Sequence, residues 1–300
     1  MMKRMLALLL ILFALPASAT VRVLATVPEW GSLVQEIGGE RVSVTVVATA
    51  MQDPHRIEAR PSLIARGRNA DMVVATGADL EAGWLPLLLR ESGNRRIQPG
   101  ETGYFEAASA VKLLNVPEHI DRSMGDIHPA GSPHFHLDPR NILLIAFALA
   151  ERLERTDPDG ATVYRENLKN FTGRWQAAMV RWQQAGAPLR GVSYLQVHRS
   201  FCYFANWLGM ESRGELEPKP GIEPTSAHLG NIVSARQKEP AAVIFRAAYQ
   251  HDAAARWVSE RTGIPVVTLA YTVGGTPEAK DLFGLFDDTL MRIRKAVDRQ

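Results

Sequence analysis

The chain has 300 residues, of which 46% are hydrophobic and 22% are charged, and its formal net charge is only +2. This length and apolar content are sufficient for one large hydrophobic core or two smaller ones. The near-neutral charge argues against nucleic acid and against an anionic membrane surface as the partner, because either would require an excess of basic side chains.

Residues 1–19 have the pattern of a secretory signal peptide. A short basic start precedes an apolar run at 6–16, and residues 17–19 read Ala-Ser-Ala, an A-x-A cleavage site. We therefore expect a mature periplasmic chain that begins near Thr20 and carries no lipid anchor, because no cysteine lies at the cleavage point. No later apolar run reaches the roughly 20 residues of a membrane span, so membrane insertion is not expected. Cys202 is the only cysteine, which excludes an intrachain disulfide.

Short β-branched runs alternate with helical patterns in both halves of the mature chain. In the first half they predict strands at 21–27, 42–48 and 71–76 and a weaker strand near 110–114. In the second half they predict strands at 191–197, 212–216, 241–245 and 265–269. Strands that alternate with helices favour an α/β fold with two lobes, each a four-stranded, mainly parallel sheet with flanking helices.

One long helix is predicted between the halves. Its apolar residues, spaced by three or four, form a single stripe from Tyr164 to Trp182, and Gly186 ends the helix. The predicted division is an N-terminal lobe at 20–157, a linking helix at 158–186 and a C-terminal lobe at 187–300. Two lobes joined by one helix should hold a ligand in a largely preformed cleft.

The segment Ser132–Pro139 places two histidines and an aspartate between two prolines. Imidazole nitrogen is a good ligand for zinc, and the prolines restrict the backbone that carries the rings. His55 and His198 each follow a predicted strand, and His134 lies in a loop before a predicted helix. Ligands of open α/β sheets bind beyond the carboxyl ends of the strands. We therefore expect His55, His134 and His198 to converge on the cleft between the lobes.

The chain resembles the periplasmic zinc/manganese solute-binding proteins of ABC importers (the cluster A-I metal-binding family) through four motifs that occur in order. These are Asp53-Pro54-His55 with Glu58 and Pro61-Ser62, Pro133-His134-Phe135 with Leu137-Asp138-Pro139, His198 with Phe201 and Tyr203-Phe204-Ala205, and Glu217-Pro218-Lys219-Pro220-Gly221 with Pro224 and Ala227-His228-Leu229. The resemblance implies two four-stranded lobes bridged by a helix. It also implies metal ligands at His55, His134 and His198.

Two positions depart from the pattern of that family. The family usually has an acidic ligand just after its last strand, where this chain has Ala270. The resemblance therefore leaves either three histidines closed by water or a substitute ligand, for which His136, Glu58 and Tyr271 are the alternatives. His136 replaces the usual tryptophan, and it could be a fourth ligand, a weaker landing site, or a packed side chain bonded to Asp138.

The remaining histidines are given structural roles by their surroundings. His119, His128 and His251 lie in polar segments and are expected on the surface, whereas His228 is expected to cap or pack at a helix start. The histidine-rich loop that often precedes the second ligand in the family is absent or vestigial here, because residues 121–132 offer only Asp126 and His128.

The resemblance, together with the three histidines, implies a zinc-binding protein that carries Zn²⁺ as its transported ligand and delivers it to the membrane permease of an ABC importer. Manganese or another divalent metal is the alternative cargo, although imidazole suits zinc and hard oxygen suits manganese. A secreted zinc hydrolase is a weaker alternative, because the sequence has no H-E-x-x-H motif and no nucleophile elbow. We predict a monomer with no catalytic residues and no nucleic-acid partner.

Overall fold

The computed structural model describes residues 20–119 and 128–298, so the predicted signal peptide lies outside the described residues. The first lobe contains a four-stranded, fully parallel sheet in the order β2-β1-β3-β4. Its strands are β1 (Val21–Ala25), β2 (Val42–Val46), β3 (Met72–Ala75) and β4 (Tyr104–Glu106). Val23 of the buried strand β1 pairs with Val44 and with Met72, as expected where apolar side chains line both faces of a parallel sheet.

The predicted strand near 110–114 is wrong. The fourth strand is β4, which pairs with β3, and a 3-10 turn follows it at Ala107–Ala110. Val111, Leu113 and Leu114 are instead partly buried loop residues that pack against the main core, which accounts for their apolar character. β4 is aligned through Gly103, whose carbonyl accepts from the Val73 amide at 2.7 Å.

The second lobe repeats the first. Its parallel sheet has the order β6-β5-β7-β8. The strands are β5 (Ser193–Gln196), β6 (Glu211–Glu215), β7 (Val243–Ala247) and β8 (Val266–Leu269). The prediction of two four-stranded parallel sheets is therefore confirmed.

Helices cover both sheets and join them. In chain order they are α1 (Pro28–Gly38), α2 (Pro61–Asn69), α3 (Leu85–Ser92), α4 (Pro139–Thr156), α5 (Ala161–Gly186), α6 (Cys202–Leu208), α7 (Ser226–Lys238), α8 (Ala253–Thr262) and α9 (Leu282–Val297). Among the described residues, no helix is both long enough and apolar enough to cross a membrane.

The long linking helix is α5, with 26 residues. Its aromatic stripe packs on α9, where Trp175 lies 4.9 Å from Phe283 and Trp182 lies 4.9 Å from Phe286 between ring centroids. The Trp175 Nε1 donates to the carbonyl of Pro139, at the start of α4, at 2.8 Å. These contacts place α5 in a hydrophobic core that is shared by both lobes. The lobe boundaries at 157 and 186 stay a prediction.

Candidate metal centre

Three of the predicted histidines meet between the two sheets. His55 lies in the loop after β2, His198 follows β5 by two residues, and His134 lies just before a 3-10 turn at Phe135–Leu137 that leads into α4. One ring nitrogen of each histidine lies within 4.8 Å of a ring nitrogen of both others. His134 and His198 are buried and His55 is half-buried. Both lobes therefore contribute nitrogen donors to one small volume.

His55 is oriented by the aspartate two residues before it. The ring Nδ1 lies 2.7 Å from Asp53 Oδ1, which also accepts from the His55 backbone amide at 3.0 Å. Burial raises the pKa of Asp53, but the hydrogen bonds and charge of His55 outweigh burial, so that the pKa lies below its ordinary value. A neutral imidazole that donates from Nδ1 to a carboxylate keeps its Nε2 lone pair for a metal.

His198 has an equivalent partner in the other lobe. Its Nδ1 lies 2.8 Å from Glu217 Oε2, and the same oxygen accepts from the Gly221 amide at 2.9 Å. Glu217 follows β6 by two residues, so the carboxyl ends of two neighbouring strands bring the ring and the carboxylate together. This bond again turns the His198 Nε2 towards the centre of the cleft.

His134 is held by a tyrosine from the end of the last strand. Its Nδ1 shares a 2.8 Å hydrogen bond with the buried hydroxyl of Tyr271, and its Nε2 lies 3.2 Å from the His198 Nε2. Burial, followed by the charges of neighbouring imidazoles, holds the pKa of His134 well below its usual value of 6.5. The ring is therefore neutral near pH 7 and can donate a lone pair.

The structure does not bring His136 or Glu58 into the cluster. His136 is fully buried, and its Nε2 donates to the backbone carbonyl of Tyr271 at 2.8 Å. Its Nδ1 lies 3.4 Å from Oε1 of the buried Glu29. Glu58 is exposed and pairs with Arg60. Of the substitute ligands considered from the sequence, Tyr271 alone contacts a clustered histidine, and it does so through the ring nitrogen that faces away from the centre.

The sequence left open a hydrogen bond between His136 and Asp138, but Asp138 bonds to Arg140 instead. Asp138 accepts from the backbone amide of Arg140 at 2.9 Å and from its guanidinium, and so caps the N-terminus of α4. Asp138 therefore fixes the start of the helix that follows the histidine segment.

His128, which the sequence placed on the surface, is half-buried beside the cluster. Its Nε2 lies 3.2 Å from the His55 Nε2, whereas His119 and His251 are exposed as predicted. One signal was available in the sequence, because His128 stands where the family often carries a histidine-rich loop. Two cavities of about 500 Å³ each adjoin the cluster, one lined by His128, His134 and His198 and the other by His55 and His198.

A family model for the zinc-uptake complex component A, periplasmic (ZnuA), matches residues 23–296. The chain belongs to this family. Members of the ZnuA family are metal-binding solute-binding proteins of ABC importers that act outside the cytoplasm. The family transports its ligand and is not a family of enzymes, so that part of the prediction is confirmed.

Two relatives of this ZnuA-family chain share about a fifth of its residues. The metal ABC transporter substrate-binding lipoprotein SloC of Streptococcus mutans is 22% identical over 261 residues, which cover 85% of this chain and 82% of SloC. The manganese ABC transporter substrate-binding lipoprotein PsaA of Streptococcus pneumoniae is 21% identical and covers 87% and 83% respectively. A crystal structure of ZnuA has a TM-score of 0.77 at 21% identity, covering 92% of this chain and 99% of ZnuA, which shows the shared fold.

Proposed function

We propose that this ZnuA-family protein is the periplasmic zinc-binding component of its importer, and that His55, His134 and His198 are the zinc ligands. The observation that carries the proposal is the convergence of three imidazole nitrogens within 4.8 Å of one another, with no carboxylate in the group. Nitrogen donors suit zinc, whereas manganese prefers hard oxygen ligands.

The surroundings of the three rings fit a divalent cation. Asp53 and Glu217 each accept from the Nδ1 of one ligand, so two carboxylates neutralise the charge of the ion without contacting it. Such outer partners fix the ring orientation and raise the basicity of the coordinating nitrogen. The Tyr271 hydroxyl performs the same orienting role for His134.

Capture follows from the position of the ligands on both lobes. His55 and His134 precede the linking helix α5, whereas His198 follows it. An ion that enters the cleft therefore joins the two lobes while α5 keeps them aligned. The loaded monomer then presents both lobes to the membrane permease, which accepts the ion. Export through a cleaved signal peptide at residues 1–19 would place this exchange in the periplasm.

Metal affinity tests the proposal. The metal-stripped protein is titrated with zinc and with manganese against a chromophoric chelator, beside His55→Ala, His134→Ala and His198→Ala. The exposed His119 provides a control variant, His119→Ala. We expect one zinc per chain, bound far more tightly than manganese, and a large loss of affinity in each ligand variant but not in the control. Zinc binding that survives in all three ligand variants would contradict the assignment.

Manganese is the second candidate cargo, because PsaA and other relatives carry manganese in their names. The same titration separates the two candidates. If manganese binds as tightly as zinc, the importer class remains but the proposed specificity for zinc is lost.

A further inference from the structure

His128 lies against the three histidines described above. Its Nε2 is 3.2 Å from the Nε2 of His55, and its ring centroid is 5.2 Å from that of His55 and 6.2 Å from that of His134. It also lines the same cavity as His134 and His198. A fourth imidazole therefore adjoins the three-histidine group, although it lies in none of the four motifs.

Two pairs of ring nitrogens have the separation expected of neighbouring ligands on a tetrahedral ion. Zinc binds imidazole nitrogen at 2.0–2.1 Å, so two nitrogens on the same tetrahedral ion lie about 3.3 Å apart. The Nε2 atoms of His55 and His128 are 3.2 Å apart, and those of His134 and His198 are also 3.2 Å apart. The group whose nitrogens all lie within 4.8 Å of one another contains His55, His134 and His198 but not His128, so an ion held by all four rings would draw the His55–His128 pair towards the His134–His198 pair.

The chemistry of the His55 pair favours a cation between the two rings. His55 donates from Nδ1 to Asp53, so its Nε2 presents a lone pair to His128. In the metal-free protein a proton on the His128 Nε2 can satisfy that lone pair. An ion bound by both nitrogens replaces this proton, which moves to the His128 Nδ1 or leaves to solvent.

The backbone that carries His128 is fixed to both lobes. The Gly131 amide donates to the His128 carbonyl at 3.0 Å, and the Ser132 amide donates to the Leu114 carbonyl at 2.8 Å. Tyr203 of the second lobe then donates to the Ser132 carbonyl at 2.9 Å. Gly131 has a φ of +118°, a conformation that favours glycine, so this turn is built into the sequence.

We propose that His128 supplies the fourth nitrogen of the site, so that the ion is held by four imidazoles. This inference rests on the proposed function. His128 takes the place of the acidic ligand whose expected position is occupied here by the buried Ala270, which offers no donor. Four neutral imidazoles, with Asp53 and Glu217 behind two of them, balance the charge of one divalent cation. A site of four nitrogens leaves no coordination position for water and selects zinc over manganese.

The experiment combines ligand counting with matched variants. X-ray absorption at the zinc edge of the loaded, unaltered protein counts the nitrogen ligands, and this measurement does not depend on how any variant folds. Zinc affinity is then measured for His128→Ala, for His198→Ala and for the exposed control His119→Ala. The visible spectrum of the Co²⁺-loaded protein and of the His128→Ala variant reports whether the coordination stays tetrahedral with four nitrogens.

We expect four imidazoles in the unaltered protein, and a loss of zinc affinity of at least about tenfold in His128→Ala with one imidazole replaced by oxygen. Three imidazoles and an oxygen in the unaltered protein, or an affinity of His128→Ala equal to that of His119→Ala, would overturn the inference while leaving the zinc site intact. Tight zinc binding that survives in His55→Ala, His134→Ala and His198→Ala, or no zinc binding by the unaltered protein, would instead overturn the proposed function.

Discussion

Replacing Glu217 by glutamine tests whether the carboxylates behind the proposed ligands contribute to metal affinity. Glu217 Oε2 accepts from the His198 Nδ1 at 2.8 Å and from the Gly221 amide at 2.9 Å, and the side chain is 17% exposed. Glutamine has nearly the same shape and keeps one accepting oxygen. The change therefore removes the negative charge while it leaves the loop and the ring close to their positions.

The expected effect follows from the role of the carboxylate. Removing the outer partner of a metal-binding histidine typically lowers affinity by 10- to 100-fold, which is about 1.4–2.7 kcal/mol of binding free energy. The metal-free fold should lose less, about 1 kcal/mol, because a charge-assisted hydrogen bond becomes a neutral one. Binding should therefore fall more than stability.

Competition titration with zinc at pH 7.5 measures the first quantity, and urea unfolding of the metal-free protein measures the second. Glu223→Gln is the matched control, because Glu223 is exposed on the same loop. A zinc affinity of Glu217→Gln within twofold of the Glu223→Gln value would refute the argument that this carboxylate strengthens the His198 ligand.

Three further predictions concern stability. Gly103→Ala should destabilise the fold by about 1–3 kcal/mol, because a Cβ there would lie 2.5 and 2.6 Å from two backbone carbonyl oxygens. Gly173→Ala should stabilise the fold by about 0.5–1 kcal/mol, because a Cβ there meets open space on the helix α5. Equal urea midpoints for the two variants would contradict both expectations. Glu29→Ala should cost about 1–3 kcal/mol, because the buried Thr272 hydroxyl loses the carboxylate that accepts its hydrogen bond and the buried His136 ring loses a carboxylate 3.4 Å away. Glu36→Ala should cost less than about 1 kcal/mol, because Glu36 pairs with Arg174 near the surface. Urea unfolding that ranks the two variants in the opposite order would contradict this prediction. The folded state holds the pKa of His134 below 6.5, so the unfolded state binds more protons as the pH falls below about 6.5. The free energy of unfolding of the metal-free protein should therefore fall by up to about 1.4 kcal/mol per pH unit. His134→Gln should flatten this slope between about pH 6.5 and 5.5, and an unchanged slope would assign it to other groups.

The sheets and the linking helix could be predicted because they depend on local patterns. β-branched runs occupy strands that are buried in parallel sheets, and the aromatic stripe of α5 repeats every three or four residues. The strand β4 could not be predicted from these local patterns. It has only three residues at a sheet edge, and its position depends on Gly103, which meets the chain at residues 71 and 96.

The three converging histidines could be predicted because each follows a strand or precedes a helix. The contact between His128 and His55 could not be predicted, because it depends on the path of an irregular loop that has no sequence periodicity. The sequence offered only the position of His128 in the segment where the family often carries a histidine-rich loop. The hydrogen-bond partners of the clustered histidines were missed for the same reason. Glu217 appeared in a motif and Tyr271 among the substitute ligands, but the hydrogen bonds that give them their positions join strand ends that are distant in sequence.

The packing of α9 on α5 also bears on the order in which the protein is assembled. Each parallel sheet is built from one half of the chain, so each can form from neighbouring segments as they emerge during synthesis. The tryptophans of α5 are covered by Phe283 and Phe286, which belong to the last described helix. The core that the two lobes share is therefore completed only when α9 docks. The four histidines, all of which precede residue 199, emerge well before the helix that completes this shared core.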